Sequence, residues 1–220
     1  MKRIHSLLKS AQPVKWVFYG DSITEGSRHT FGWRDYTELF EERVRAELNR
    51  RRDVMINTAI SGNNSRDLLE DFEWRVAQFA PQVVFVMIGM NDASPERPVA
   101  PDEFRANVTE LCGRIAKLSA VPVLQTTCLP LPQDSYPPRA ANLLALMEVL
   151  REIAAAEKLP LIDHTRHWQS AIQENPHRAH FWMNNLCHPN QFGHRAFAEV
   201  IFKALGIFDE QSFVCRQFIP

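Results

Sequence analysis

The chain has 220 residues, 45% of them hydrophobic and 23% charged, with 25 Lys and Arg set against 26 Asp and Glu for a net charge of −1. That length supports one sizeable core, so a single domain over residues 1–220 is expected. The balanced charge excludes a broad basic face for nucleic acid or a polybasic membrane tail, and the longest apolar run, Val83 to Ile88, is far too short to span a bilayer.

Taken in chain order, short apolar runs alternate with segments of helical period. Strands are predicted at Val14–Tyr19, Val54–Thr58, Val83–Ile88, Val121–Thr127 and Leu159–Asp163. They are apolar on both faces, as in a parallel sheet covered on both sides. Between and after them, Trp33, Tyr36, Phe40, Val44 and Leu48 step by three or four. So do Phe104 to Leu118 behind a cap at Asp102, then Leu143 to Ala154, then Phe192 to Ala204 behind a cap at Asn190. Arg50, Arg51 and Arg52 suit the end of the first of these helices. Five strand–helix repeats predict a doubly wound α/β sandwich, and the Pro-rich stretches 95–101 and 130–138 read as loops at the carboxyl edge of its sheet.

Three strand ends carry the chemistry. Gly20-Asp21-Ser22 follows the first strand, Ser61-Gly62-Asn63-Asn64 the second and Gly89-Met90-Asn91-Asp92 the third. In the strand order 2-1-3-4-5 these ends are neighbours at the topological switch point, where such folds bind ligands. A hydroxyl, a glycine amide and a side-chain amide then converge. Acyl transfer requires that set: a nucleophile for the carbonyl carbon, and preorganised donors for the charge that develops on its oxygen. The candidate donors are the backbone N–H groups of Ser22 and Gly62 and the amide of Asn91. The candidate base is His188, one of eight histidines, set on a loop before the last helix.

These blocks, GDSIT with Ser22, SGN with Gly62, GMND with Asn91 and CHPN with His188, resemble the SGNH hydrolases, also called GDSL-type esterases and lipases. Each block alone is weak; four in order over nearly the whole chain are specific. The resemblance implies a flavodoxin-like three-layer α/β/α sandwich with a five-stranded parallel sheet. It implies Ser22 as nucleophile, His188 as base, Ser22, Gly62 and Asn91 as oxyanion donors, and Asp21 and Asp92 as supporting residues that hold the loops. The implied activity is a serine esterase acting on a small ester, with a short acyl group on a sugar or other polar alcohol preferred. No cofactor and no metal are expected.

One position departs from the pattern. The family usually carries an aspartate three residues before the histidine, and here Asn185 stands there. Three readings stay open: Asn185 orients His188 through its amide oxygen, a backbone carbonyl takes over, or the change is inactivating. The last keeps alive a non-catalytic binding domain of the same fold, and the same residues also suit acyl transfer to an alcohol.

Blander readings stand beside these. Ser22 after a strand suits an ordinary helix cap, Asn91 and Asp92 suit a turn, and Gly62 suits plain punctuation. His164 with His167, and His177 with His180, lack the further ligands a zinc site needs. Trp33, Trp74, Trp168 and Trp182 read as core or pocket walls. Phe181 and Trp182 are also placed to line the acyl or sugar side of the cleft, and Arg28 and His29 to touch the leaving group. The basic N-terminal stretch has no apolar signal-peptide core, and the four cysteines form no CxxC pair, so reduced thiols in a cytoplasmic protein are expected.

Overall fold

The computed structural model describes residues 1–131 and 137–220, with side chains in the second stretch from residue 139. Five parallel strands, β1 (Lys15–Gly20), β2 (Val54–Asn57), β3 (Val83–Met87), β4 (Val121–Gln125) and β5 (Leu161–Ile162), form one sheet in the order β2-β1-β3-β4-β5. That is the expected order, with every pair parallel. The helices are α1 (Lys2–Lys9), α2 (Ser22–Glu25), α3 (Tyr36–Glu41), α4 (Ser65–Glu70), α5 (Phe72–Arg75), α6 (Pro101–Lys117), α7 (Pro137–Ala156), α8 (His164–Glu174), α9 (Arg178–Phe181) and α10 (Gln191–Ala204). α3, α8 and α10 pack together on one face, and α4, α6 and α7 on the other, which makes the predicted three-layer sandwich.

The sheet centre explains its composition. β3 and β4 are buried at every residue, and β1 at every residue after Lys15. Phe18 stacks on Phe85 at 4.9 Å, and both meet Phe40 of α3 edge-on at 5.4 Å, so three aromatic rings tie β1 and β3 to one helix. Each such ring contributes about 1.5–3 kcal/mol through burial. β2 is different: it is an edge strand, and Val54 is exposed, so the expectation of burial on both faces holds for the centre and fails at this edge.

Local chemistry shifts several predicted boundaries. The segment after the first strand begins its helix at Tyr36, because Asp35 and Glu38 form a reciprocal capping box there. Trp33 therefore lies outside the helix and is exposed. α3 continues as a π-helix over Glu42–Glu47, within which Arg43 pairs with Glu47 at 2.9 Å. Arg50 lies past the helix end it was expected to suit; its guanidinium is buried against Asp53 at 2.8 Å and donates to the Leu8 and Gln12 carbonyls, anchoring the end of α1. Asp102 is not a cap either, since Ala100 takes that place and Pro101 fills the first helical position, where its missing N–H costs nothing. Asn190 does cap α10, accepting from Phe192 and Gly193. Pro101 starts α6 and Pro137 starts α7, so both Pro-rich stretches run into helices; residues 132–136 of the second lie outside the described residues.

Candidate active site

β1 ends where the chain must pass close to its neighbour. A Cβ on Gly20 would collide with the Met87 carbonyl and come within 2.9 Å of the Thr24 hydroxyl, so only glycine lets the turn begin there. Asp21 then caps α2, its Oδ1 accepting from the Ile23 N–H at 2.9 Å. This corrects the blander reading of Ser22: the acid is the cap, and Ser22 is the first helical residue. Its hydroxyl is thereby released, and it meets His188 Nε2 at 2.8 Å. As a first-turn residue Ser22 has a backbone N–H without a helical partner.

The loops after β2 and β3 are laced to this turn. Ile60 N–H donates to the Gly20 carbonyl at 3.2 Å, and Ser61 N–H to Glu25 Oε2 at 2.7 Å. Gly62 sits at φ +84°, a left-handed conformation that side chains resist. Among the described residues neither the Ser22 nor the Gly62 N–H donates to a protein acceptor. Asn91 Nδ2 donates one hydrogen to the Asn63 carbonyl at 2.8 Å, which pins its amide beside the Gly62 loop and leaves the second hydrogen to point elsewhere. Asp92, read first as a turn residue and by resemblance as a support, accepts from Ser65 N–H at 2.9 Å and is buried. It thus joins the third loop to the start of α4. Burial pushes both supporting acids up, Asp21 to about 7, where the charge of Asp92 adds to the effect. Each has a buried carboxylate oxygen without a protein partner among the described residues.

His188 comes from a loop held by its own backbone: Asn184 N–H donates to the His188 carbonyl at 2.8 Å, and Asn190 N–H to that of Trp182 at 2.9 Å. Asn185 Oδ1 lies 2.9 Å from His188 Nδ1, the contact required by the first of the three readings. The identity of that atom follows from chemistry. It also accepts from the backbone N–H groups of Cys187 at 3.1 Å and His188 at 3.0 Å, and two donors pointing at one atom make it the oxygen. Nδ1 must then carry the hydrogen, and Nε2 presents its lone pair to the Ser22 hydroxyl. Burial lowers the imidazole to about 4, with the charge His29 carries when protonated and the Arg139 charge adding to the effect, so it is neutral at pH 7.

Two neighbours of this site carry no sequence motif. Arg75, buried beneath the Gly62 loop, donates to Asn63 Oδ1 at 2.7 Å and lies over the Tyr19 ring, so it holds the residue whose carbonyl holds Asn91. His29 lies flat on His188, ring centroids 3.5 Å apart and planes 5° from parallel. Trp182 does not line a cleft: it is buried edge-on against Trp168 at 4.8 Å, and its indole donates to the Pro220 carbonyl. Phe181 and Trp74 are exposed, and among the described residues no His, Cys, Asp and Glu gather as a metal would require.

Fold and site define a hydrolase class, and comparison with known proteins agrees. Residues 18–196 match the model of the GDSL-like lipase/acylhydrolase family. The chain belongs to that family, the SGNH hydrolases, and is a carboxylic ester hydrolase by class. An acetylxylan esterase of Geobacillus stearothermophilus is 26% identical over 218 residues, covering 90% of this chain and 97% of that protein. An uncharacterized protein of Mycoplasma pneumoniae is 31% identical over 111 residues, which is 49% of this chain but only 12% of the length of that protein. Among solved structures, an α/β hydrolase from the metagenome of Lake Arreo, Spain, superimposes with a TM-score of 0.78 at 25% identity, covering 91% of this chain and 99% of that one. The Geobacillus esterase gives 0.74 at 24% identity, over 88% and 94%. Catalytic mutants of that esterase replace a serine, an aspartate and a histidine, the last two three positions apart.

Proposed function

We propose that the chain is a serine esterase that works through an acyl-enzyme and removes a short acyl group from a sugar or similar polar alcohol. The observation that carries this reading is the run of contacts Ser22 Oγ–His188 Nε2–His188 Nδ1–Asn185 Oδ1, at 2.8 Å and 2.9 Å. His188 Nε2 takes the Ser22 proton as Oγ bonds to the ester carbon. The carbonyl electron pair moves to oxygen, where the N–H groups of Ser22 and Gly62 and the Asn91 amide receive it. The carbonyl re-forms, the C–O bond breaks, and the alcohol leaves with the proton from Nε2. Water repeats the sequence, giving the acid and free Ser22.

In this reading Asn185 supplies half of what an aspartate supplies. It fixes the ring and its tautomer, so the lone pair faces Ser22. It brings no negative charge to the imidazolium that forms. A working but slower base follows, rather than a dead site. The sugar preference draws on the similarity to the acetylxylan esterase along nearly the full length of both chains. The test is turnover of acetylated xylo-oligosaccharides and of a short-chain nitrophenyl ester. Release of acetate from the sugar with at least the efficiency of the nitrophenyl ester supports the reading. A folded protein that hydrolyses neither overturns it, and one that hydrolyses only the nitrophenyl ester overturns the choice of alcohol.

A further inference from the structure

If Asn185 carries no charge, something else must face the imidazolium. His188 has two flat faces, and one is covered. His29 lies against it at 3.5 Å and 5° from parallel, which is van der Waals contact between two rings with their π surfaces apposed. The overlap is enforced from outside the rings: Asn184, four residues before His188, donates from Nδ2 to the His29 carbonyl at 3.0 Å. His29 N–H in turn donates to the Ser27 carbonyl at 2.8 Å, folding the loop after α2 back on itself. One side chain thus fastens the loop that follows the nucleophile to the loop that carries the base.

We propose that His29 is a positioning residue for the base, a neutral aromatic face that holds the His188 ring and stabilises it once it is protonated. A cation over an aromatic face is attracted by the ring quadrupole, most strongly where water is excluded. The ring must be uncharged for this, and its surroundings favour that state. Burial lowers the His29 imidazole, the Arg28 charge lowers it further, and Glu25 opposes them. Arg139 is also within electrostatic reach of His188, and the buried His194 within reach of both rings. The stack therefore takes up part of the work that the family's aspartate performs at Nδ1, on the edge of the ring. A protonated His29 would have the reverse effect, setting two positive rings in contact.

The inference rests on His188 being the base, and the test separates the two. The variants are His29→Ala, His29→Phe, Asn185→Asp, the double variant His29→Ala with Asn185→Asp, and His188→Ala. They are assayed with a short-chain nitrophenyl ester, with circular dichroism to show that each folds. His29→Ala lowers kcat about tenfold with KM little changed, and His29→Phe, which keeps an aromatic face and cannot titrate, stays within about threefold of the native enzyme. In the Asn185→Asp background, where a carboxylate already balances the imidazolium, the loss from His29→Ala shrinks to about twofold or less. A merely structural stack would cost the same in both backgrounds, and that result overturns the inference. So does a folded His29→Ala enzyme with native kcat, or a His29→Phe enzyme as slow as His29→Ala. A His188→Ala enzyme that keeps its turnover removes the base and overturns both readings together.

Discussion

The two halves of the site are built on different terms. The nucleophile half, at the ends of β1, β2 and β3, is fixed by bonds that each end on backbone: the Ile60 N–H to the Gly20 carbonyl, the Asn91 side chain to the Asn63 carbonyl, and the Ser65 N–H to the Asp92 carboxylate, with buried acids beneath. The imidazole half hangs on side chains from two loops, an amide oxygen from Asn185 on its own loop and a stacked ring from His29 on the loop after α2. The first half follows the family pattern residue by residue, and the second departs from it. Backbone geometry at strand ends leaves little room for substitution. A base oriented from a loop admits more than one orienting partner, because orientation needs an acceptor in the right place and charge is a separate contribution.

The largest effects should sharpen that contrast by removing the reacting atoms. Ser22→Ala lowers kcat for a short ester by about 10⁴-fold or more, as removal of a triad member does elsewhere. Its thermal midpoint stays close to native, because the hydrogen bond of the hydroxyl is to His188 and the cap of α2 is Asp21. Steady-state kinetics beside a thermal melt read both.

Next comes the oxyanion side. Asn91→Ala loses about 10²–10³ in kcat, the usual cost of one such donor. It also frees the Asn63 carbonyl, so a smaller destabilisation accompanies it. An Asn91→Ala enzyme with native kcat would show that the amide only holds the loop.

Asn185→Asp tests the other half directly. The native amide already sets the right tautomer, so the gain is confined to charge, about 10–100-fold in kcat. A carboxylate beside Nδ1 favours the charged imidazolium and raises its pKa. The acid limb of kcat/KM, which reports the free base, then moves up from about pH 4 toward neutrality. A variant no faster than native, with an unmoved acid limb, would mean that charge at this position never limited the reaction.

The smallest expected effect concerns stability. His164 and His194 are fully buried and lowered to about 3, chiefly by burial. Their folded values lie below the unfolded value of about 6.5, so their contribution is complete above pH 6.5 and is lost as pH falls toward 3. At pH 5 each costs about 2 kcal/mol. Asp21, raised to about 7, works in the opposite sense: its contribution is complete below the ordinary aspartate range and lost as pH rises through 7. Asp92, raised by burial as well, adds to Asp21, while each buried imidazole contributes its own fall in the thermal midpoint between pH 7 and pH 5. His194→Phe removes one such fall; equal slopes in the variant and the native protein would remove His194 from the account.

The strand ends were legible in the sequence because glycine, asparagine and acid residues clustered where apolar runs stopped. Ser22, Gly62 and Asn91 stand out that way, and His188 by its place on a loop before the last helix; the structure brings Ser22 and His188 into contact while the loops of Gly62 and Asn91 are bonded to each other. The strand order came with the commoner doubly wound arrangement and not from any single residue. What stayed hidden was tertiary. His29 is an ordinary loop residue until the fold lays it on His188, and nothing in the sequence near Arg75 announces that it holds Asn63. Trp33 fitted a helical period and still lies outside the helix, because the capping box at Asp35 outweighs one more apolar step. The exposure of β2 depends on which strand lies at the edge, which periodicity does not encode.

The central claim is that Ser22, deprotonated by an imidazole oriented by a neutral amide, forms a covalent acyl-enzyme. Its most direct test is the intact mass of the protein after exposure to a serine-directed fluorophosphonate, with the adduct mapped by peptide fragmentation. The account predicts one adduct, on Ser22, formed far more slowly in His188→Ala and faster in Asn185→Asp. A folded native protein that takes up no label, or takes it up elsewhere, would contradict it.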